Sequence, residues 1–123
     1  MALKRATNSI QSQLLLEMGV PINTADAYYS SGGNRLLFIP RYMKGDLFGS
    51  HVAWTVDALI DYLCDGDNAI VYFRRDKMSD FWVCSYTSYE GKEYKNKIDV
   101  SKMAPTKIDA IFEVIYELHK HQT

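Results

Sequence analysis

Between residues 69 and 100 the chain carries three runs with the composition and alternation of β-strands: "AIVYFRR", "FWVCSYTS" and "EYKNKIDV". Only short turn-forming stretches separate them, and such connections join strands as hairpins. The three runs are therefore predicted to form an antiparallel meander. The first turn lies around Asp76–Asp80. The second is Tyr89-Glu90-Gly91, a three-residue loop with glycine at the left-handed position. Closed this way, Ser88 pairs with Lys92, Tyr86 with Tyr94 and Trp82 with Ile98, while the first turn pairs Phe73 with Trp82. One face then holds Val71, Phe73, Trp82, Cys84, Tyr86, Tyr94 and Ile98, which is a core face.

The rest of the chain supplies helices to cover that face. In "VAWTVDALIDYL" Thr55 is placed as N-cap, Trp54 at N′ and Leu59 at N4, the two positions of a hydrophobic staple. Val56, Leu59, Ile60 and Leu63 line one side, and Asp57 lies in the first turn, where the helix dipole favours an anion. A last helix starts near Thr106 with Asp109 at the capping-box position. Its stripe is Ile108, Ile111, Phe112, Ile115 and Leu118. At the other end Ile10, Leu14, Leu15 and Met18 recur at helical spacing behind Thr7, Asn8 or Ser9, and Gly19 and Pro21 stop the helix. Thr24 is placed to cap a single turn. Tyr28–Ser30 and Arg35–Ile39 read as a hairpin across Ser-Gly-Gly-Asn, and 40–53 as an irregular loop. The order is α-β-β-α-β-β-β-α, an α+β class: an antiparallel sheet, hairpin plus three-stranded meander, with helices packed on one face.

With 123 residues, 47% hydrophobic and 24% charged, the expectation is one soluble domain spanning 1–123. A net charge of −1 gives no global field to hold nucleic-acid phosphates or an anionic membrane. Nine tyrosines call for half-buried positions with wet hydroxyls. Lys4 and Arg5 before an apolar patch imitate a secretory leader, but Gln11, Ser12, Gln13 and Glu17 interrupt it, so a cytoplasmic protein is expected. Cys64 and Cys84 are read as buried, unpaired thiols of a reducing compartment.

With the helices and strands placed, "LLEMG" (Leu15–Gly19), "TADAYY" (Thr24–Tyr29), "IP" (Ile39-Pro40), "AWTVDALIDYL" (Ala53–Leu63) and "DAIFEV" (Asp109–Val114) occur in order. Together they resemble a family of small uncharacterised proteins encoded by phages and mobile elements of gut bacteria. The shared blocks span most of the chain and are structural: caps, staples and core stripes. Members often carry a proline after the middle helix, where this chain has Cys64-Asp65. The family has no assigned activity, so the resemblance implies a setting alone: an accessory protein working in a bacterial cytoplasm.

Candidate chemistry is thin. Asp65 and Asp67 alternate as in a calcium loop, but position 69 is alanine and no glutamate closes the loop, so helix stop and turn is the better reading. His119 and His121 do not share a helix face, which disfavours a metal pair. His51 has no evident nucleophile or orienting carboxylate beside it. "SSGGN" joins strands instead of opening a helix, so it is not a phosphate cradle. No catalytic, cofactor-binding or metal residue is assigned, and no enzyme activity is expected. The feature that suggests function is the far face of the meander, where Ile70, Tyr72, Arg74, Phe81, Val83, Lys95 and Lys97 fall. Aromatics there suit a protein partner or a second copy, and aromatics interleaved with cations suit single-stranded nucleic acid. Glu93 and Asp99 dilute the charge. The competing reading is a second structural face covered by the chain itself.

Overall fold

The computed structural model describes residues 4–30, 35–40, 42–43, 51–65, 68–90 and 96–121. The elements are α1 (Ser9–Glu17), β1 (Ala27–Tyr29), β2 (Leu36–Phe38), β3 (Val52–Ala53), α2 (Val56–Leu63), β4 (Ala69–Arg75), β5 (Trp82–Glu90), β6 (Asn96–Ala104) and α3 (Lys107–His121). The class is α+β, with two antiparallel three-stranded sheets ordered β2-β1-β3 and β4-β5-β6. The chain divides into two compact units, Met1–Leu59 and Ile60–Thr123.

In the first unit Asn8 caps α1 within a full capping box. Its side chain accepts from the Gln11 N–H at 2.8 Å, and its own N–H donates to the Gln11 side chain at 3.1 Å. Gly19 takes φ +94, the Val20 N–H reaches the Leu15 carbonyl, and the Gly19 N–H reaches that of Leu16. This is a Schellman ending. The expected stripe is only partly buried: Leu15 is fully enclosed but Ile10 is 71% exposed. Ser12 is buried instead, because its hydroxyl meets that of Thr7 at 2.8 Å. Thr24 does not cap its turn. It closes a 3-10 turn begun by Pro21, whose carbonyl accepts the Thr24 hydroxyl at 2.6 Å.

β1 pairs with β2 (Tyr28 opposite Leu37), as the hairpin reading expects, and with β3 on its other side (Ala27 opposite Ala53). β3 corrects the expectation of an irregular 40–53. Two residues are too short to carry a periodic signal, and what makes them a strand is the distant β1, with Ala27 opposite Ala53 and Tyr28 opposite Val52. Ala6, Ala27 and Ala53 form the buried centre of this unit, against which Tyr29 and Leu36 pack. Trp54, which follows β3, is fully enclosed.

In the second unit β4-β5-β6 is a meander, as read from the sequence, but its register differs. Ser88 pairs with Ile98, Tyr86 with Val100 and Trp82 with Ala104, while Phe73 pairs with Cys84. The expected tight glycine loop is traded for nine unbroken β5–β6 pairs running to Ala104. That pairing sets a small alanine opposite the large Trp82 ring and allows cross-strand Ser85–Ser101 and Thr87–Asp99 hydrogen bonds. Both displacements are by an even number of residues, so no side chain changes face. Tyr94, expected on the core face, lies outside the described residues.

α3 packs on β5 and β6. Thr106 caps it, accepting from the Asp109 N–H at 3.1 Å and donating to the Asp109 carboxylate at 2.8 Å. Ile108, Ala110, Ile111, Phe112, Val114 and Ile115 are buried. Lys107, at the start of α3, sits over the Trp82 ring at 4.5 Å and Phe73 at 5.7 Å, and Arg75 lies over Trp82 at 5.3 Å. Lys102 pairs with Glu117 of α3 at 3.5 Å. The last turn of α2 belongs to this unit: Tyr62 lies near Tyr86, and the Val71 N–H donates to Cys64 Sγ.

Candidate functional site

The face of β4-β5-β6 bearing the odd-numbered residues of β5 can be read row by row from the pairing. Phe81, just before β5, heads the face. Below it lie Arg74, Val83 and Met103, then Tyr72, Ser85 and Ser101, then Ile70, Thr87 and Asp99, and at the far end Tyr89 and Lys97. Tyr72, Arg74, Phe81, Val83 and Lys97 thus share one face, as the sequence predicts. Lys95 lies outside the described residues.

Their exposure is uneven. Tyr72 and Met103 are each 53% exposed and Phe81 38%, whereas Val83 is 6% exposed. Val83 sits on the central strand between Arg74 and Met103, so it forms the floor of the patch and offers little surface of its own. Ser85 is buried beside it and shares a 2.9 Å hydrogen bond with Ser101. The apolar surface therefore follows the β4 side and the Phe81–Met103 end, while β6 contributes a polar stripe.

Local interactions set the electrostatics. Lys97 Nζ lies 3.1 Å from Asp99, and the Thr87 hydroxyl donates to the same carboxylate. The Thr87 hydrogen bond and then the Lys97 ammonium hold the Asp99 carboxyl below its usual range, and Asp99 in turn raises Lys97. One of the cations counted for nucleic acid is thus engaged within the strand, while Arg74 stays exposed. The turn at the top of the face is built by Asp76. Its carboxylate accepts from the Ser79 hydroxyl and N–H at 2.6 and 2.9 Å, which lowers its pKa. Asp80 takes φ +63 and pairs with Arg75 at 2.8 Å. Exposed Met78 is thereby carried at the tip, and Ser79 Oγ lies 3.8 Å from Met103 Sδ.

Met103 is the face residue that sequence reasoning missed. The predicted third strand ended at Val100, so Met103 counted as linker. The signal available was the alternation Ile98, Val100, Lys102, Ala104, which continues the strand up to the helix cap.

Elsewhere, in the first unit, the segments around Thr24–Asp26 and Trp54–Thr55 meet. The Trp54 indole N–H donates to Thr24 Oγ1 at 2.9 Å. The Thr55 N–H donates to Asp26 Oδ1 at 2.9 Å, and its hydroxyl donates to Asp26 Oδ2. That hydroxyl also accepts from the Ala58 N–H at 3.3 Å, so Thr55 is the N-cap of α2. "TAD" and "WT" are two halves of one clamp, and its polar groups are spent on each other.

The thiols carry no sign of activation. Burial pushes Cys84 up to about 12, and burial raises Cys64 as well. Both are free. Among the described residues no group of three or more His, Cys, Asp or Glu side chains could hold a metal ion, and no helix is long and apolar enough to cross a membrane. In comparisons with known proteins no family matches this chain, and neither a curated protein nor a solved structure matches it.

Proposed function

We propose that this chain is a non-enzymatic accessory protein that acts by binding protein, either itself or a partner, in the phage or mobile-element setting its motif blocks imply. The observation that carries this reading is the run of exposed Tyr72, Phe81 and Met103, with Ile70 alongside, on one face of a regular sheet. Soluble proteins seldom leave such aromatic and apolar groups contiguous on a surface without a use for them. Desolvated aromatic anchors dominate protein interfaces, and Tyr72 and Phe81 are the anchors here.

Single-stranded nucleic acid is the second reading, and the Lys97–Asp99 pair weakens its cationic side. The test is alanine at Tyr72 and Phe81 against glutamine at Arg74 and Lys97. Light scattering and affinity capture from the native host read out protein binding, and a salt-dependent oligonucleotide shift reads out the alternative. Loss of protein binding in the alanine variants alone supports the interaction module. Oligonucleotide binding that the glutamine variants abolish would replace it.

A further inference from the structure

Antiparallel geometry fixes which backbone groups of the second sheet point outward. The Tyr89 N–H donates to the Asn68 carbonyl at 3.1 Å and the Asp76 N–H to the Phe81 carbonyl at 2.8 Å. The odd residues of β5 are therefore the ones that hydrogen-bond toward β4. In such a strand one residue's N–H and C=O point to the same side, and successive residues alternate. The even residues of β5 must then face β6, where they meet Asn96, Ile98, Val100, Lys102 and Ala104. Lys97, Asp99, Ser101 and Met103 turn their N–H and C=O groups away from the sheet, on a strand that forms its edge. Among the described residues no backbone hydrogen bond reaches these four.

The two edges of this sheet are treated differently. On β4 the outward N–H of Val71 is met by Cys64 Sγ from the end of α2. Natural edge strands are otherwise blunted by shortness, proline, a bulge or unpaired charge. β6 is nine residues long, holds no proline and keeps its register with β5 throughout. Its charges are occupied: Lys97 with Asp99 at 3.1 Å, Lys102 with Glu117 at 3.5 Å.

We propose that β6 is a pairing edge whose occupant is β6 of a second copy of this chain, running antiparallel about a two-fold axis at Val100. This rests on the reading of the protein as an interaction module, but it uses the strand edge and not the apolar face. In this register the whole strand pairs with itself. Asn96 meets Ala104 of the second copy, Lys97 meets Met103, Ile98 meets Lys102, Asp99 meets Ser101, and Val100 meets Val100. About eight backbone hydrogen bonds form. No like charges oppose each other, and a carboxylate faces a hydroxyl. A two-fold axis at Asp99 would oppose two carboxylates, and one at Lys97 or Lys102 two ammonium groups, both unfavourable. An axis at Ile98 or Ser101 pairs fewer residues of β6. The product is one continuous sheet ordered β4-β5-β6-β6-β5-β4.

The register makes a prediction that a face-to-face dimer does not share. Met103 opposes Lys97 of the second copy twice per dimer, so Met103→Glu should tighten the dimer about fivefold and Met103→Lys weaken it by a similar factor. Met103 is 53% exposed, so both variants should fold. Ser101→Pro removes an outward N–H while sparing the β5–β6 ladder, and should abolish the dimer. Sedimentation equilibrium of the full chain measures all three, with amide exchange as a second readout: the Asp99, Ser101 and Met103 amides should gain protection as concentration rises. A wild type that stays monomeric up to about 1 mM overturns the proposal. So does weakening by both Met103 variants, which would place the contact on the apolar face and leave the interaction reading standing. Tyr72→Ala and Phe81→Ala should leave the β6 dimer unchanged, and loss of the dimer in these variants would likewise assign it to the face.

Discussion

Trp54 is held on every side that can bond. Its N–H donates to Thr7 Oγ1 at 3.1 Å, its carbonyl accepts from the Thr7 N–H at 3.0 Å, and its indole reaches Thr24. Trp54→Ala should destabilise the protein by about 3–5 kcal/mol, because a fully enclosed indole leaves a cavity the fold cannot close. Trp54→Phe keeps most of the apolar contact and loses one hydrogen bond, costing about 1 kcal/mol in denaturant melts from that bond. The sequence located this residue from its neighbours: a tryptophan before a capping threonine is a local pattern. It did not disclose Thr7 or Thr24 as partners, since bonds across 47 and 30 residues leave no local trace. Reactivity is also a residue-scale matter. At pH 8 a thiol with a pKa of about 12 stays protonated, so native Cys84 should resist a thiol reagent that labels it once the protein is unfolded.

At the scale of elements, ends were legible and pairings were not. The caps Asn8, Thr55 and Thr106 and the stop at Gly19 are each written within a few residues of the helix they bound. Gly19→Ala should cost about 1 kcal/mol, because φ +94 is strained for any residue with a Cβ. The β5–β6 register is different, since it balances a tight loop against the length of strand paired. A Ser85→Cys, Ser101→Cys double variant checks it. Those residues face each other at a non-hydrogen-bonded position, where a disulfide fits, so oxidation should cross-link them. Failure to cross-link would favour the shorter register, in which they are far apart. Asp99 on the same strand should titrate below the ordinary aspartate range by carboxyl NMR, and Thr87→Val should move it back up. The sign follows: what this pairing adds to stability is present above the unfolded carboxylate pKa and is lost as pH falls through the lowered folded value.

For the whole molecule, exposed Tyr72 and Phe81 separate function from folding. Alanine at both should change stability by less than about 0.5 kcal/mol per site while removing the contact made by this face and leaving the β6 pairing intact. A larger loss in thermal melts would mean that the face serves the fold. What the sequence by itself determined is local or periodic: the class, the helix ends, the meander, and which side chains share a face. The last survived a wrong register because strand periodicity is two and the error was even. Tertiary structure alone decided β3, the burial of Val83 and Ser12, the exposure of Ile10 and the place of β6 at the end of its sheet. Each depends on which distant segment a residue meets. A chain pattern records the spacing of apolar groups, but not the partner that covers them or leaves them bare.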